Sequence, residues 1–468
     1  MKQIKKRHIK LSLGFCSILL GLSLNSCAIK KEPEHKTIIT EAFVDSTFIP
    51  NEWTVKTNND SVNSNWLKNF NDPILDTIVA EAIKNNFDLK RIATQVDVTQ
   101  PNIAVVTSQM KPHVGLDIGV NASVDDGDSS IFTGGKGVAI ASWEPDVWGK
   151  VRAQKAGATA EYEATALNYE YARQSLAAIT AKSWFLSVEA SQLVTLFEEV
   201  VATYTEILEV VKIRRSLGKV GDLDVVEAKA NLNSAQNDLI KYKGLYAETQ
   251  RNLETLLGRY PSAEIETAKN FTTLPPEVQA GIPSLLLTRR PDLIAAEKLV
   301  IVAFRQEESA KLALLPSFSF SLGTGLLSDV FLNILKLNPL LIGASVGMSV
   351  PIYSGGKIPA QIKIATAQQQ QAVANYGSVS LKAFKEVENN LMNENLLVQR
   401  LPFQQEIINN RSDAVKIAKL KYELGKMDLL PTLQLQNSLI ASQVELIKLQ
   451  NAQLSNRINL YLTLGANF

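Results

Sequence analysis

Few residues in this 468-residue chain carry reactive chemistry: two cysteines, Cys16 and Cys27, and three histidines, His8, His35 and His113. Cys27 ends the segment Leu24-Asn25-Ser26-Cys27, which follows Lys2, Lys5, Lys6, Arg7 and Lys10 and a mostly apolar run from Leu11 to Leu24. A basic start, an apolar middle and small residues at the end form the layout of an export signal. The last four residues resemble a bacterial lipobox, in which cleavage leaves a cysteine to be diacylated on sulfur and acylated on nitrogen. Asn25 is not the commonest residue at its place, and the competing reading is an ordinary signal peptide with an incidental cysteine. Several acyl chains, at ~0.8 kcal/mol per buried methylene, would hold the chain to a membrane.

Cleavage after Ser26 also removes Cys16 and His8, so the mature chain has no disulfide and no cysteine-based metal site. His35 and His113 alone make no cluster for a transition metal, and no cofactor is called for. The lost segment holds five of the Lys and Arg residues and no acid, which takes the formal charge from +1 to −4 and gives no argument for nucleic acid. There is no Gly-x-Ser-x-Gly elbow, no phosphate-binding Gly-x4-Gly-Lys-Ser/Thr loop and no His-Glu-x-x-His. The pattern points away from an enzyme. Carboxylates are plentiful, but on long helices they read as solvated faces.

The chain is an internal duplication. Asp88-Leu89 recurs as Asp292-Leu293 and Pro112 as Pro316, at a shift of 204; Gly149-Lys150, Leu217-Gly218-Lys219 and Leu257-Gly258 recur as Gly356-Lys357, Leu424-Gly425-Lys426 and Leu464-Gly465, at a shift of 207. The second copy therefore carries three extra residues between its counterparts of Pro112 and Gly149, where a surface loop would take them. Each copy reads as helix, β-hairpin, long helix, short turn, helix. After Pro112, Val114, Leu116, Ile118 and Val120 alternate with His113, Gly115, Asp117 and Gly119. In copy two Phe318, Phe320 and Leu322 alternate with serines, and Val346, Met348 and Val350 do so on the return; the return of copy one, Gly137 to Glu144, alternates less cleanly. Residues 125 to 130 form a polar loop, and 326 to 340 a less polar one.

From Lys150 to Ser216 there is no proline and one glycine, which predicts a helix of 67 residues, roughly 100 Å at ~1.5 Å per residue. Its apolar stripe runs through Leu186, Ala190, Leu193, Leu196, Val200, Tyr204, Ile207 and Val211; residues 357 to 423 repeat it with Leu381, Phe384, Val387 and Leu391. No run after residue 30 gives eighteen uninterrupted apolar residues, so a helical membrane span is not available. Four strands near the ~10 residues that cross a bilayer leave open edges, which lipid cannot satisfy. Several chains must close the barrel, and three chains with twelve strands make the smallest plausible open pore. The fold class is an α+β membrane protein, a β-barrel with four strands per chain continued by a long α-helical barrel.

Trp66-Leu67-Lys68-Asn69-Phe70 with Asp72-Pro73, Asn85 to Leu89, Arg290-Pro291-Asp292-Leu293, Ser142-Trp143-Glu144 before Gly149-Lys150, and Val350-Pro351 before Gly355-Gly356-Lys357 resemble the TolC-like outer-membrane efflux family, in its lipoprotein (NodT/OprM-type) branch. The resemblance covers residues 45 to 468. It implies a homotrimer in outer-membrane lipid, a helical tunnel across the periplasm, and docking to a periplasmic adaptor and an inner-membrane pump of RND or ABC type. The implied function is efflux of small molecules by passive conduction; the alternatives are the exit duct of a type I protein-secretion system, or a structural or adhesive coiled-coil lipoprotein. The expected organisation is a signal peptide at 1–26, a lipidated segment at 27–72, a first repeat at 73–258 with its hairpin at 113–146, a linker or equatorial segment at 259–288, and a second repeat at 289–468 with its hairpin at 317–353.

In related channels a leucine five residues and an aspartate nine residues after the second turn glycine narrow the pore; here those positions hold Leu430 and Gln434, and the first copy offers Leu223 and Glu227 beside Asp222 and Asp224. These are the candidate gate, or else solvated turn residues. Leu217, Gly218, Lys219, Leu424, Gly425 and Lys426 are candidate adaptor contacts, or glycine-capped turns and nothing more. Trp143, Trp148 and Tyr353 mark either an aromatic belt or packing at the barrel–helix junction.

Overall fold

The computed structural model describes residues 29–43, 49–55, 65–124, 131–328 and 340–468. Cys27, the leader, the polar loop at 125–130 and most of the loop at 326–340 lie outside the described residues. In chain order the elements are α1 (His35–Ala42), a 3-10 turn (Trp66–Phe70), α2 (Pro73–Asn85), α3 (Phe87–Ser108), β1 (His113–Val124), β2 (Ile131–Trp143), α4 (Lys150–Ser216) and α5 (Asp222–Leu256). Then come α6 (Pro283–Arg289), α7 (Pro291–Leu312), β3 (Ser317–Ser328), β4 (Leu340–Ser349), α8 (Lys357–Glu423) and α9 (Leu429–Thr463). The duplication is visible in the helix lengths, since α4 and α8 have 67 residues each and α5 and α9 have 35 each. The chain forms two compact units, one of Met1–Ser46, Gln95–Ala166 and Ala295–Gly377, the other of Thr47–Thr94, Leu167–Ile294 and Ser378–Phe468.

The first unit holds one antiparallel sheet in the order β1-β2-β3-β4. Copy one pairs His113 with Ser142 at the start of its hairpin; copy two pairs Ser317 with Ser349. These are the same positions under shifts of 204 and 207, so both hairpins share one register. Gly and β-branched residues at alternate sites suit a pleated strand with one small face and one bulky face. In the same unit Ile38 of α1 is fully buried with Ala296, Val300 and Tyr376. Buried Arg305 donates to Lys30 O at 2.8 Å and to Glu308 Oε2 at 2.7 Å, while the Lys30 N–H donates to Glu308 Oε1 at 2.6 Å. The stretch just after Cys27 is thereby held to α7.

The second unit is built from helical hairpins. Leu196, Phe197, Val200, Tyr204, Leu208 and Val211 of α4 pack with Ala228 and Ala235 of α5, Tyr422 of α8 and Leu429, Leu433 and Ile440 of α9. Two stripe residues depart from the sequence reading: Leu186 and Leu381 are exposed. Next to Leu186, the larger Trp184 and Phe185 take the inward positions. Trp184 Nε1 donates to Asp72 Oδ2 at 3.0 Å, and Phe185 packs 5.6 Å from Phe70 between ring centres. Asp72 Oδ1 also accepts the N–H groups of Ile74 and Leu75 at 3.1 Å, so the Asp-Pro pair caps α2. In α8, Ala383 and Val387 face inward instead of Leu381, beside Phe384, which packs on Trp53.

Candidate functional site

Residues directly opposite in a β-ladder share a face of the sheet. Following the register, Leu116, Ala139, Thr324 and Ile342 form one row, Val114, Ala141, Leu322 and Ala344 the next, and Trp143, Phe320 and Val346 a third. This face is apolar and its large side chains are exposed. The other face carries His113, Ser142, Ser321 and Ser345 in one row and Gly115, Ile140, Gly323 and Gly343 in another. Ser321 Oγ and Ser345 Oγ lie 2.6 Å apart. A sheet with one face of large apolar side chains and another of mostly small or polar residues, Val138 and Ile140 of β2 excepted, suits a boundary between hydrocarbon and water. Both outer strands, β1 and β4, keep one unpaired edge among the described residues.

The three junction aromatics do not behave alike. Trp148 Nε1 donates to Pro316 O at 2.6 Å and is packed. Trp143 donates to Met110 O at 3.0 Å while resting on Phe320, and is half free. Tyr353 is 90% exposed, next to Ile352 at 95%.

The hairpin turns are twin Schellman caps. Gly218 has φ +71° and Gly425 φ +72°, where a side chain would be strained. The Lys219 N–H reaches Arg214 O at 2.9 Å and the Lys426 N–H reaches Lys421 O at 2.8 Å. Leu217 and Leu424 are exposed beside them. Asp222 and Asp224 stand in the first turn of α5, where the helix dipole favours negative charge. Asp222 pairs with Arg215 on the surface. Leu223 is 72% exposed and Leu430 53%; Gln434 is exposed and Glu227 half-buried. Leu223 and Leu430 stand at corresponding places in the first turns of α5 and α9, whereas Asp222 and Asp224 have Leu429 and Pro431 as their counterparts.

One link at these turns escaped sequence reasoning. Arg214 Nη1 donates to Tyr422 O at 2.6 Å and Glu423 O at 3.1 Å, and its guanidinium lies 4.5 Å from the centre of the Tyr422 ring. The Tyr422 carbonyl already accepts the Gly425 N–H of the turn, so Arg214 adds a second donor there and reaches Glu423 O at the last residue of α8. Burial raises the Tyr422 hydroxyl pKa, and Arg214 works against that rise. No signal in the repeat announces the pair, because the counterparts of Arg214 and Tyr422 are Lys421 and Arg215.

A duplicated chain that combines a four-stranded sheet with one apolar face and long helical hairpins has the parts of an outer-membrane β-barrel channel with an α-helical extension. The pattern of the Outer membrane efflux protein family matches residues 78–259 and 282–466, and the chain belongs to that family. It is similar to the cation efflux system protein CusC of Escherichia coli, 26% identical over 410 residues that span 87% of this chain and 89% of that one. It is equally similar to the probable efflux pump outer membrane protein TtgC of Pseudomonas putida, 26% identical over 417 residues, 86% of this chain and 85% of the relative. Among solved structures, the Campylobacter jejuni CmeC outer membrane channel superposes with a TM-score of 0.84 at 21% identity, covering 95% of each chain. A CusC crystal structure gives 0.81 at 23%, covering 94% of this chain and 99% of the other. The chain is an outer-membrane efflux channel component.

Proposed function

We propose that three copies of this chain close a twelve-stranded barrel and form the outer-membrane duct of a tripartite efflux system, conducting small molecules without catalysing their conversion. The observation that carries this reading is the sheet, with its apolar face, its small hydroxylated face and two free edges that lipid cannot satisfy. Four strands are too few to enclose a lumen, and twelve suffice. The relatives' names speak of cations for CusC, toluene for a TtgC and pyoverdine for OpmQ. Cargo that varied on one channel design is chosen elsewhere, by an inner-membrane pump and its periplasmic adaptor.

Cys27 carries the acyl chains and the barrel does most of the anchoring. The paired turns at Gly218 and Gly425 meet the adaptor. Leu430 and Leu223, exposed on the single chain, form apolar rings that narrow the closed pore, and Asp222, Asp224 and Glu227 supply charge where Gln434 does not. Purified protein in planar bilayers tests the duct: pores are expected, and a monomer that forms none overturns the reading. Leu430→Ser should raise the conductance of the closed channel, and an unchanged conductance removes the gate from Leu430.

A further inference from the structure

Charge is one-sided at the end of the sheet where the helices attach. The connections there and the two helical turns next to them are residues 101–112, 144–157, 305–316 and 350–364, which hold eight cations and four acids. Three of the acids are matched: Asp146 pairs with Arg152, Glu307 with Lys311 and Glu308 with Arg305. What remains is Glu144 against Lys111, Lys150, Lys155, Lys357 and Lys363. All five lysines are exposed, and none of them forms an ion pair among the described residues.

Helix stability does not account for this surplus. The first turns of α4 and α8 contain no acid, and each helix opens on a lysine, Lys150 or Lys357, against the positive end of its dipole. By contrast α3, α5 and α7 open with Asp88, Asp222 and Asp292. Each copy adds a second lysine five or six residues later, Lys155 and Lys363. At ~1.5 Å per residue the two lysines of a helix stand ~8–9 Å apart along its axis. That height is close to the ~5–8 Å of headgroup region that flanks the hydrocarbon on each side of a bilayer. Between these lysines and the strands the surface is apolar. Ile352 and Tyr353 stand almost fully exposed between β4 and Lys357, and Leu314 and Leu315 are exposed just before β3. The connections of the two hairpins have the opposite sign in sequence, with Asp125, Asp126, Asp128 and Asp329 against Lys336.

We infer that Lys111, Lys150, Lys155, Lys357 and Lys363 form a collar that binds the phosphates of anionic phospholipids where the apolar face of the sheet meets the headgroups. Lipid is the partner because the cations border exposed apolar side chains, which a free phosphate would leave in water. A lysine stem lies along such a surface while its amine stays among the phosphates. An anionic surface favours each nearby lysine roughly fivefold. The inference rests on the membrane duct proposed above and adds the class of lipid held at its helical end.

The test places full-length protein in phosphatidylcholine nanodiscs containing a trace of spin-labelled lipid, whose resonance spectrum separates lipid immobilised on the protein from bulk lipid. Spin-labelled phosphatidylglycerol should exceed spin-labelled phosphatidylcholine on the protein several-fold at low salt. The excess should shrink in ~1 M salt, where the Debye length is ~3 Å. The combined variant Lys111→Gln, Lys150→Gln, Lys155→Gln, Lys357→Gln and Lys363→Gln should bring the ratio near one. A control removes the same charge from exposed sites of the second unit, by Lys229→Gln, Lys241→Gln, Lys382→Gln, Lys385→Gln and Lys421→Gln, and should keep the excess. If wild type shows no excess, or both variants lose it equally, the collar is wrong, while pores in planar bilayers leave the duct standing. Soluble glycerol phosphate at matched ionic strength should not remove the excess; if it does, the lysines take free phosphate and the lipid assignment falls. Absence of immobilised lipid with either label, together with absence of pores, overturns collar and duct alike. Should the five-lysine variant fail to insert, the salt and glycerol phosphate series on wild type decides alone.

Discussion

Asn86 Nδ2 donates to the carbonyl of Leu256 at 3.0 Å, and this bond fastens the start of α3 to the end of α5. Its counterpart in copy two is Arg290, whose Nη1 reaches the carbonyl of Thr463 at 3.4 Å. Both pairs sit beside a capping glycine with positive φ. A Cβ on Gly258 would stand 2.9 Å from Asn85 O, and one on Gly465 would stand 3.3 Å from Arg289 O. Duplication has kept the joint and changed its chemistry.

That change predicts unequal costs. Asn86 also accepts the Leu89 N–H at 2.9 Å, so Asn86→Ala removes a cap and a bond, about 1–2 kcal/mol. Arg290 further pairs with Asp292 at 2.8 Å and Glu386 at 2.9 Å while almost fully buried, and Arg290→Ala strands both acids. A loss of about 3–5 kcal/mol is expected. Denaturant midpoints of the purified variants check the order; equal losses would show that the ion pairs add nothing.

The two sheet faces predict opposite tolerance. Leu116→Arg places a charge on the apolar face, at a cost that grows with depth in the bilayer up to about 2–4 kcal/mol at its centre. Gly115→Arg points to the other face, where nothing stands within 4 Å of a new Cβ. The amount of assembled protein in outer-membrane fractions should fall for the first and stay near wild type for the second.

Periodicity made much of this fold legible. The 67-residue helix follows from Lys150 to Ser216 having neither proline nor a glycine cluster, and the alternation from Val114 to Ile118 gives the faces of β1. Where side chains compete for one inward place, periodicity fails: Leu186 fits the stripe, yet the larger Trp184 and Phe185 occupy the core beside Phe70 and Asp72. The turn glycines were readable because positive φ selects Gly. The Arg214–Tyr422 link was not, because it joins side chain to backbone across 208 residues and has no twin in the other copy.

If the turns form the closed end of the duct, Arg214 is a brace across them. Arg214→Ala should increase basal conductance and admit large antibiotics that the closed channel excludes. Arg215 pairs with the exposed Asp222 on the surface, and Arg215→Ala should change conductance little. Equal leaks from both variants would mean that charge near the turns matters and the brace to Tyr422 does not.

Glu189 supplies a prediction with a sign. It is buried on α4, accepts from Asn451 Nδ2 at 2.6 Å, and its carboxyl pKa is raised by burial, against the opposing pull of Asn451 and Lys448. A carboxyl raised in the folded state favours folding fully only below its unfolded pKa, about 4.3. That contribution is lost as pH climbs through the folded value, so near neutrality the buried charge costs stability. Glu189→Gln keeps an oxygen for Asn451 and removes the charge. The variant should therefore be more stable than wild type at pH 7, with the difference shrinking towards pH 4. Denaturant unfolding at the two pH values measures it, and a gain that is the same at both would place its origin in packing and not in the carboxylate.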